Sequence, residues 1–150
     1  ALNVSYFVFH ERRTLLEYFK RCRRALKPRG LFAVDVFGGP HYGEPCVDTK
    51  KLPGLEYTFE QEFFDPLSNR TRFHIHFKPA GKRPLKRAFT YDWRMWSIPE
   101  IRDLMYEAGF KDVVVYWEGT GRNGRGSGKF HRREKGESCS IWVAYVVGAI

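Results

Sequence analysis

The stretch Lys27-Pro28-Arg29-Gly30-Leu31-Phe32-Ala33-Val34-Asp35-Val36-Phe37 decides the reading of the fold. Pro28 and Gly30 close a preceding helix. The apolar run after them does not alternate, and continuous apolarity suits a strand buried on both faces, as in a parallel sheet. Gly38-Gly39-Pro40 stops the run. Asp35 interrupts it with a carboxylate, which must find a partner if it is buried.

Upstream, Leu15, Phe19, Cys22 and Leu26 recur on one helical face, so Glu11 to Lys27 reads as a helix. Downstream, His41 to Leu55 is rich in Gly and Pro and reads as a loop. Period-two patterning then takes over. Tyr57, Phe59, Gln61 and Phe63 alternate with acidic residues. After the turn Asp65-Pro66-Leu67-Ser68-Asn69, Thr71, Phe73, Ile75 and Phe77 alternate with Arg70, Arg72, His74, His76 and Lys78. A hairpin pairing Phe64 with Arg70 sets Glu62 against Arg72, Glu60 against His74 and Glu56 against Lys78. It also sets Phe59 against Ile75 and Tyr57 against Phe77. A slip of one residue would lose every match. Leu85 to Trp93 reads as a third antiparallel strand.

Ser97-Ile98-Pro99-Glu100 is a capping box, with Trp96 and Ile101 placed for a hydrophobic staple. Ile101, Leu104, Met105 and Ala108 form the apolar face of the helix that follows, and Gly109 stops it. Phe110 to Trp117 reads as a strand, Gly119 to Gly136 as a Gly/Arg/Lys-rich connector, and Ser140 to Val147 as a last strand. The last two strands follow each other without a helix and are expected to be antiparallel.

The chain has 150 residues, 43% of them hydrophobic, 29% charged and 17% aromatic, which suits one globular domain with a core. No apolar run reaches the ~20 residues a membrane helix needs. Cys22, Cys46 and Cys139 form no Cys-x-x-Cys pair and read as reduced thiols of a cytoplasmic protein. The net charge of +9 favours anionic partners, nucleic acid among them, but basic balance alone is common and the plainer reading is a basic enzyme. The opening Ala1-Leu2-Asn3 is an apolar-to-polar step that reads as the end of a strand, so truncation is expected.

The order of these motifs resembles the second half of class I S-adenosylmethionine-dependent methyltransferases. Arg24-Ala25-Leu26-Lys27-Pro28-Arg29-Gly30-Leu31-Phe32 is similar to that family's L-x-P-G-G junction into the fifth strand, with Arg29 in place of the first glycine. Glu107-Ala108-Gly109-Phe110 resembles the E-A-G-F before the sixth strand, and Leu2-Asn3-Val4-Ser5-Tyr6 the segment leaving the fourth. The resemblance implies an α/β fold. It would be the carboxy-terminal portion of a Rossmann-like sheet, with parallel strands plus a final antiparallel strand inserted beside the fifth. Residues 55–96 would form an antiparallel flap within the partial domain 1–150. The family's first-strand glycine turn and second-strand acid have no counterpart here. Gly124 to Gly128 is glycine-rich but lacks the strand–turn–helix context of a cofactor loop.

By the resemblance, the cofactor is S-adenosyl-L-methionine, the cofactor-side residues are Asn3, Ser5 and Tyr6, and the partner is a small-molecule or macromolecular methyl acceptor. Strand carboxyl ends hold ligands in open α/β sheets, which makes Asp35 and Phe37 substrate-side candidates. Asp35 has two readings, a substrate contact or an acceptor of loop N–H groups. Tyr91, Trp93 and Arg94 are further substrate-side candidates on a flap expected to cover the site; their alternative is a packed core. No dedicated catalytic residue is read, because methyl transfer needs mainly alignment. His74, His76 and Glu60 have the makings of a metal site, but they also complete a charge-matched hairpin, and no metal is expected.

Two other classes compete with an enzyme. A binding module would use Arg122, Arg125, Lys129, Arg132 and Arg133, with Phe130 for base stacking. A fragment inactive alone would expose its fourth-strand edge and self-associate through it.

Overall fold

The computed structural model describes residues 1–121 and 126–150. They fall into two compact units: residues 1–42 with 96–150, and residues 43–95. The elements are α1 (Arg12–Ala25), β1 (Leu31–Gly38), β2 (Cys46–Leu52), β3 (Leu55–Asp65), β4 (Arg70–Pro79), β5 (Leu85–Arg94), α2 (Ile98–Glu107), β6 (Asp112–Thr120), β7 (Gly126–Arg133) and β8 (Trp142–Ala149).

The first unit holds a four-stranded sheet of order β1-β8-β6-β7. β8 is antiparallel to both β1 and β6, which therefore run in the same direction with β8 between them. This corrects the parallel sheet expected from the sequence: among the described residues every ladder is antiparallel. The apolar run over β1 reflects burial, and burial carries no information on strand direction. Even the burial is one-sided. Phe32, Val34 and Val36 are buried, while Leu31 on the other face is 64% exposed.

Cross-strand rows run through β8, joining Val34, Val146 and Val115, then Val36, Ala144 and Trp117. α1 lays Leu15, Leu16 and Phe19 into this core, and Phe19 meets Phe32 edge-on at 5.5 Å between ring centroids. Burying each of these side chains contributes about 1.5–3 kcal/mol. α2 adds Ile101, Leu104 and Met105. Its capping box is formed as expected: Ser97 Oγ accepts the Glu100 N–H, and the Ser97 N–H donates to Glu100 Oε2 at 2.9 Å.

The connector expected after Gly119 is in part a strand. Gly126–Arg133 pairs with β6 as β7, exposed along almost its whole length. Ala1 to Asn3, expected to end a strand, lead into a 3-10 turn over Ser5–Val8.

The second unit is a meander of order β2-β3-β4-β5. It begins at Gly43 rather than at residue 55, because Cys46–Leu52 forms a strand inside the expected loop. All of β2 is exposed, so no apolar period marks it in the sequence. Asp65 shapes the β3–β4 turn by accepting the Leu67 N–H at 3.0 Å and the Ser68 hydroxyl, and Asn69 takes the left-handed position at φ 55°.

The hairpin register matches the expected one from Glu56↔Lys78 to Glu60↔His74. Nearer the turn it shifts by one, to Phe63↔Arg72 and Asp65↔Arg70. Glu62 is the extra residue of the bulge. The adjacent Phe63 and Phe64 fall on opposite faces, and Arg72 lies over the Phe63 ring at 5.3 Å.

Candidate functional site

At the amino-terminal end of the first unit, Asn3 and Val4 both take left-handed conformations, at φ 58° and φ 44°. Asn tolerates this region, but a β-branched residue there is an outlier. Left-handed backbone costs a non-glycine residue roughly 1–2 kcal/mol. Surrounding structure must hold such a residue. Asp35 supplies the hold: its Oδ1 accepts the Val4 N–H at 2.8 Å. Of the two readings of Asp35, the geometry contains the loop anchor.

The turn sorts its side chains sharply. Asn3 and Ser5 are exposed, while Tyr6 and Phe7 are buried. The Tyr6 hydroxyl donates to the Asp35 carbonyl at 2.9 Å. Burial, with the nearby Asp35 charge, pushes the Tyr6 hydroxyl well above its usual pKa. Phe7 stacks on Phe37 with ring centroids 5.9 Å apart. Asn3, Ser5, Tyr6, Asp35 and Phe37 are thus brought together at one place. Tyr6 and Phe37 hold the turn onto β1, and Asn3 and Ser5 present their polar groups outward. The backbone nitrogen of Ala1 donates to the Ala33 carbonyl at 2.7 Å, so residues 1–4 run along the outer side of β1.

Tyr91, Trp93 and Arg94 belong to the second unit. Tyr91 packs on Trp93 at 4.8 Å between centroids, and Trp93, 7% exposed, also packs on Phe73 at 5.3 Å. The aromatic pair is built into the sheet's apolar face. Arg94 pairs across the ladder with Arg70, which is held by Asp92 at 2.6 Å.

The implied cofactor requires close backbone approach and an acid for its ribose. The glycines at the carboxyl end of β1 serve strand packing instead. A Cβ on Gly38 would stand 2.5 Å from the Trp142 ring, and one on Gly39 2.0 Å from the Ser140 carbonyl. They cradle β8, not a ligand. The described residues of this chain therefore do not fit a complete S-adenosylmethionine site.

The basic-module residues divide. Arg122 and Arg125 lie outside the described residues. Lys129, Arg132 and Arg133 are exposed on β7, but Phe130 packs on Tyr145 at 4.6 Å, so its ring is engaged within the sheet. Neither the fold nor the likenesses below support nucleic-acid binding or pairing of two copies through a sheet edge. The His74 and His76 rings each meet a carboxylate, Glu62 at 3.2 Å and Glu60 at 2.7 Å. Among the described residues no metal-ligand cluster assembles. Likewise, no described helix is long and apolar enough to cross a membrane. Sequence reading missed the left-handed Val4, Arg29 and Arg87, and the contact of His74 with Thr90. Only the Arg29 substitution signals any of these.

No family model matches the sequence, and no curated protein does. Solved structures do. An S-adenosylmethionine-dependent methyltransferase from Clostridium acetobutylicum matches 98% of this chain at 15% identity and a TM-score of 0.65, over 55% of its own length. The CcbJ methyltransferase from Streptomyces caelestis matches 100% at 16% identity and a TM-score of 0.66, over 59% of its length. DesVI from Streptomyces venezuelae matches 96% at 18% identity and a TM-score of 0.58, over 54%. At these identities the likeness is one of fold, and the chain spans little more than half the length of each structure it matches. The chain shares the fold seen over somewhat more than half the length of these methyltransferase structures.

Proposed function

We propose that this chain is the carboxy-terminal portion of an S-adenosylmethionine-dependent methyltransferase domain, and that the complete domain transfers a methyl group to an acceptor. The order β1-β8-β6 carries the reading: a final strand runs antiparallel between two strands that share a direction. The lengths of the matching structures support it.

In this reading the strained turn is the chain's contribution to the cofactor side. Asn3 and Ser5 offer polar groups there, and Asp35 and Tyr6 fix the backbone that presents them. Held geometry matters in a displacement that depends on alignment. Tyr91, Trp93 and Arg94 are tested separately: their substitution is expected to change the acceptor range and leave cofactor affinity unchanged.

The deciding experiment is calorimetry with S-adenosylmethionine. The 150-residue chain is expected to bind no tighter than about millimolar. A longer polypeptide that adds a strand and a glycine-rich turn before Ala1 is expected to bind at micromolar concentration. Micromolar binding by the 150 residues alone, or none by the longer chain, overturns the reading.

A further inference from the structure

On the polar face of the second unit, two ladder irregularities serve one imidazole. The β3–β4 register shifts at Glu62. The β4–β5 register shifts between Ile75 and Phe77, beside a stretch holding Arg87 at a left-handed φ of 51°. Bulges re-aim side chains, and backbone strain gathers at functional sites. Arg87 donates to Glu62 Oε1 at 3.1 Å, and Arg72 to Glu62 Oε2 at 3.4 Å. Glu62 Oε2 lies 3.2 Å from His74 Nε2. His74 is 2% exposed, and its Nδ1 lies 2.9 Å from Thr90 Oγ1. Thr90 itself is exposed on β5, the last strand of its sheet.

The donor pattern follows from the charges. The hydrogen bond to His74, with Arg87 and Arg72 nearby, lowers the Glu62 carboxyl from its usual range, so it is ionised and only accepts. In the neutral imidazole, the proton then sits on His74 Nε2, facing the carboxylate. Nδ1 is left as an acceptor, and the Thr90 hydroxyl donates to it. A hydroxyl bonded to an imidazole whose far N–H is held by a carboxylate is the arrangement that activates an alcohol nucleophile.

We propose that Thr90 is a nucleophile for acyl transfer from activated carboxylic esters, with His74 as its general base and Glu62 positioning the imidazole. Thr90 Oγ bonds to the ester carbonyl carbon while its proton passes to His74 Nδ1. The tetrahedral adduct collapses, the bond to the leaving alkoxide breaks, and His74 returns the proton to that oxygen. Water then attacks the threonyl ester with His74 again taking the proton, which releases the acid and restores Thr90. An open groove of about 590 Å³ on this unit is bordered by Glu60, His76, Lys78, Pro84, Lys86 and the shared Arg87. This activity is independent of methyl transfer.

The test is p-nitrophenyl acetate with the 150-residue chain, following nitrophenolate release and locating the acetyl group by peptide mass mapping. The acetyl group is expected on Thr90, with release about 10²-fold faster than in Thr90→Val. Thr90→Ser is expected to keep the label. Glu62→Gln is expected to alter the pH dependence of acylation, which a carboxylate with only a structural role would leave alone. Circular dichroism establishes that both Thr90 variants fold. An acetyl group on lysine or the amino terminus with Thr90 unmodified overturns the proposal, as does a Thr90→Val rate equal to the native one.

Discussion

Asp35 Oδ1 accepts the backbone N–H of Val4 at 2.8 Å, and Val4 stands in the left-handed region at φ 44° and ψ 30°. Side chain and strain belong to one device, because the unfavourable backbone persists only while something holds it. Removing the acceptor leaves a partly buried N–H unmet, at a cost of about 1–3 kcal/mol. Asp35→Ala is therefore expected to lower the melting temperature by roughly 3–9 °C in a chain of this size. Asp35→Asn keeps an oxygen for Val4 and is expected to lose less. Equal melting of Asp35→Ala and the native chain would show the anchor to be idle.

Tyr6 predicts an alkaline limit to stability. Its hydroxyl ionises in the folded state only well above its usual value, with burial the main cause. Tyr18 is displaced the same way, to about 12, first by burial and then by its contact with Cys22. For a raised pKa, stabilisation is complete below the unfolded value of about 10 and is lost as pH rises toward the folded value. Denaturant midpoints are expected to fall above that pH. Tyr6→Phe is expected to start lower, having lost its bond to the Asp35 carbonyl, and to fall less steeply. A native midpoint flat through the alkaline range contradicts this.

Arg29 stands where the related junction motif has glycine, and its φ is 64°. It is exposed, so its side chain contributes little packing. Arg29→Gly removes a left-handed penalty of roughly 1–2 kcal/mol and adds chain entropy to the unfolded state, for a net gain of about 0.5–1 kcal/mol. Gly30→Ala is expected to destabilise, since its Cβ would lie 2.7 Å from the Lys27 carbonyl. Urea denaturation of both variants checks the pair, and a destabilised Arg29→Gly refutes the strain argument.

Glu62 sets an acid limit. Its carboxyl is lowered first by the hydrogen bond to His74, then by Arg87 and Arg72. For a depressed pKa, stabilisation is present above the unfolded value of about 4.3 and is lost as pH falls through the folded one. Glu62→Gln is expected to melt below the native chain at neutral pH, with the gap closing as the solution is acidified through the carboxylate range. A gap that is constant with pH assigns the effect to packing instead.

Much of the architecture was legible before any coordinates. Ser97 to Glu100 announced its capping box through residue types alone, because the cap is local. The Glu56 to Glu60 register was legible because opposite charges and apolar pairs match only one way. The bulge at Glu62 was half-legible in the doubled Phe63-Phe64, where alternation breaks. β2 was not legible, since a strand exposed along its whole length leaves no apolar period. Of the candidate site, the sequence singled out Asn3, Ser5, Tyr6, Asp35 and Phe37, which the fold brings to one place. It did not reveal that Val4 is the strained residue or that Asp35 holds it.

The sequence by itself determined the two helices, the cap of the second and every strand but β2 and β7, how the β3–β4 hairpin is matched along most of its length, and which family the chain resembles. These rest on contacts a few residues apart or on patterns that only one pairing satisfies. Tertiary structure alone decided that β8 separates β1 from β6, that Asp35 reaches 31 positions back to Val4, and that Thr90, His74 and Glu62 join in one line. Strand order and long-range hydrogen bonds depend on where distant segments come to lie. Continuous apolarity around Asp35 indicates burial, but it carries no record of the neighbour that provides it.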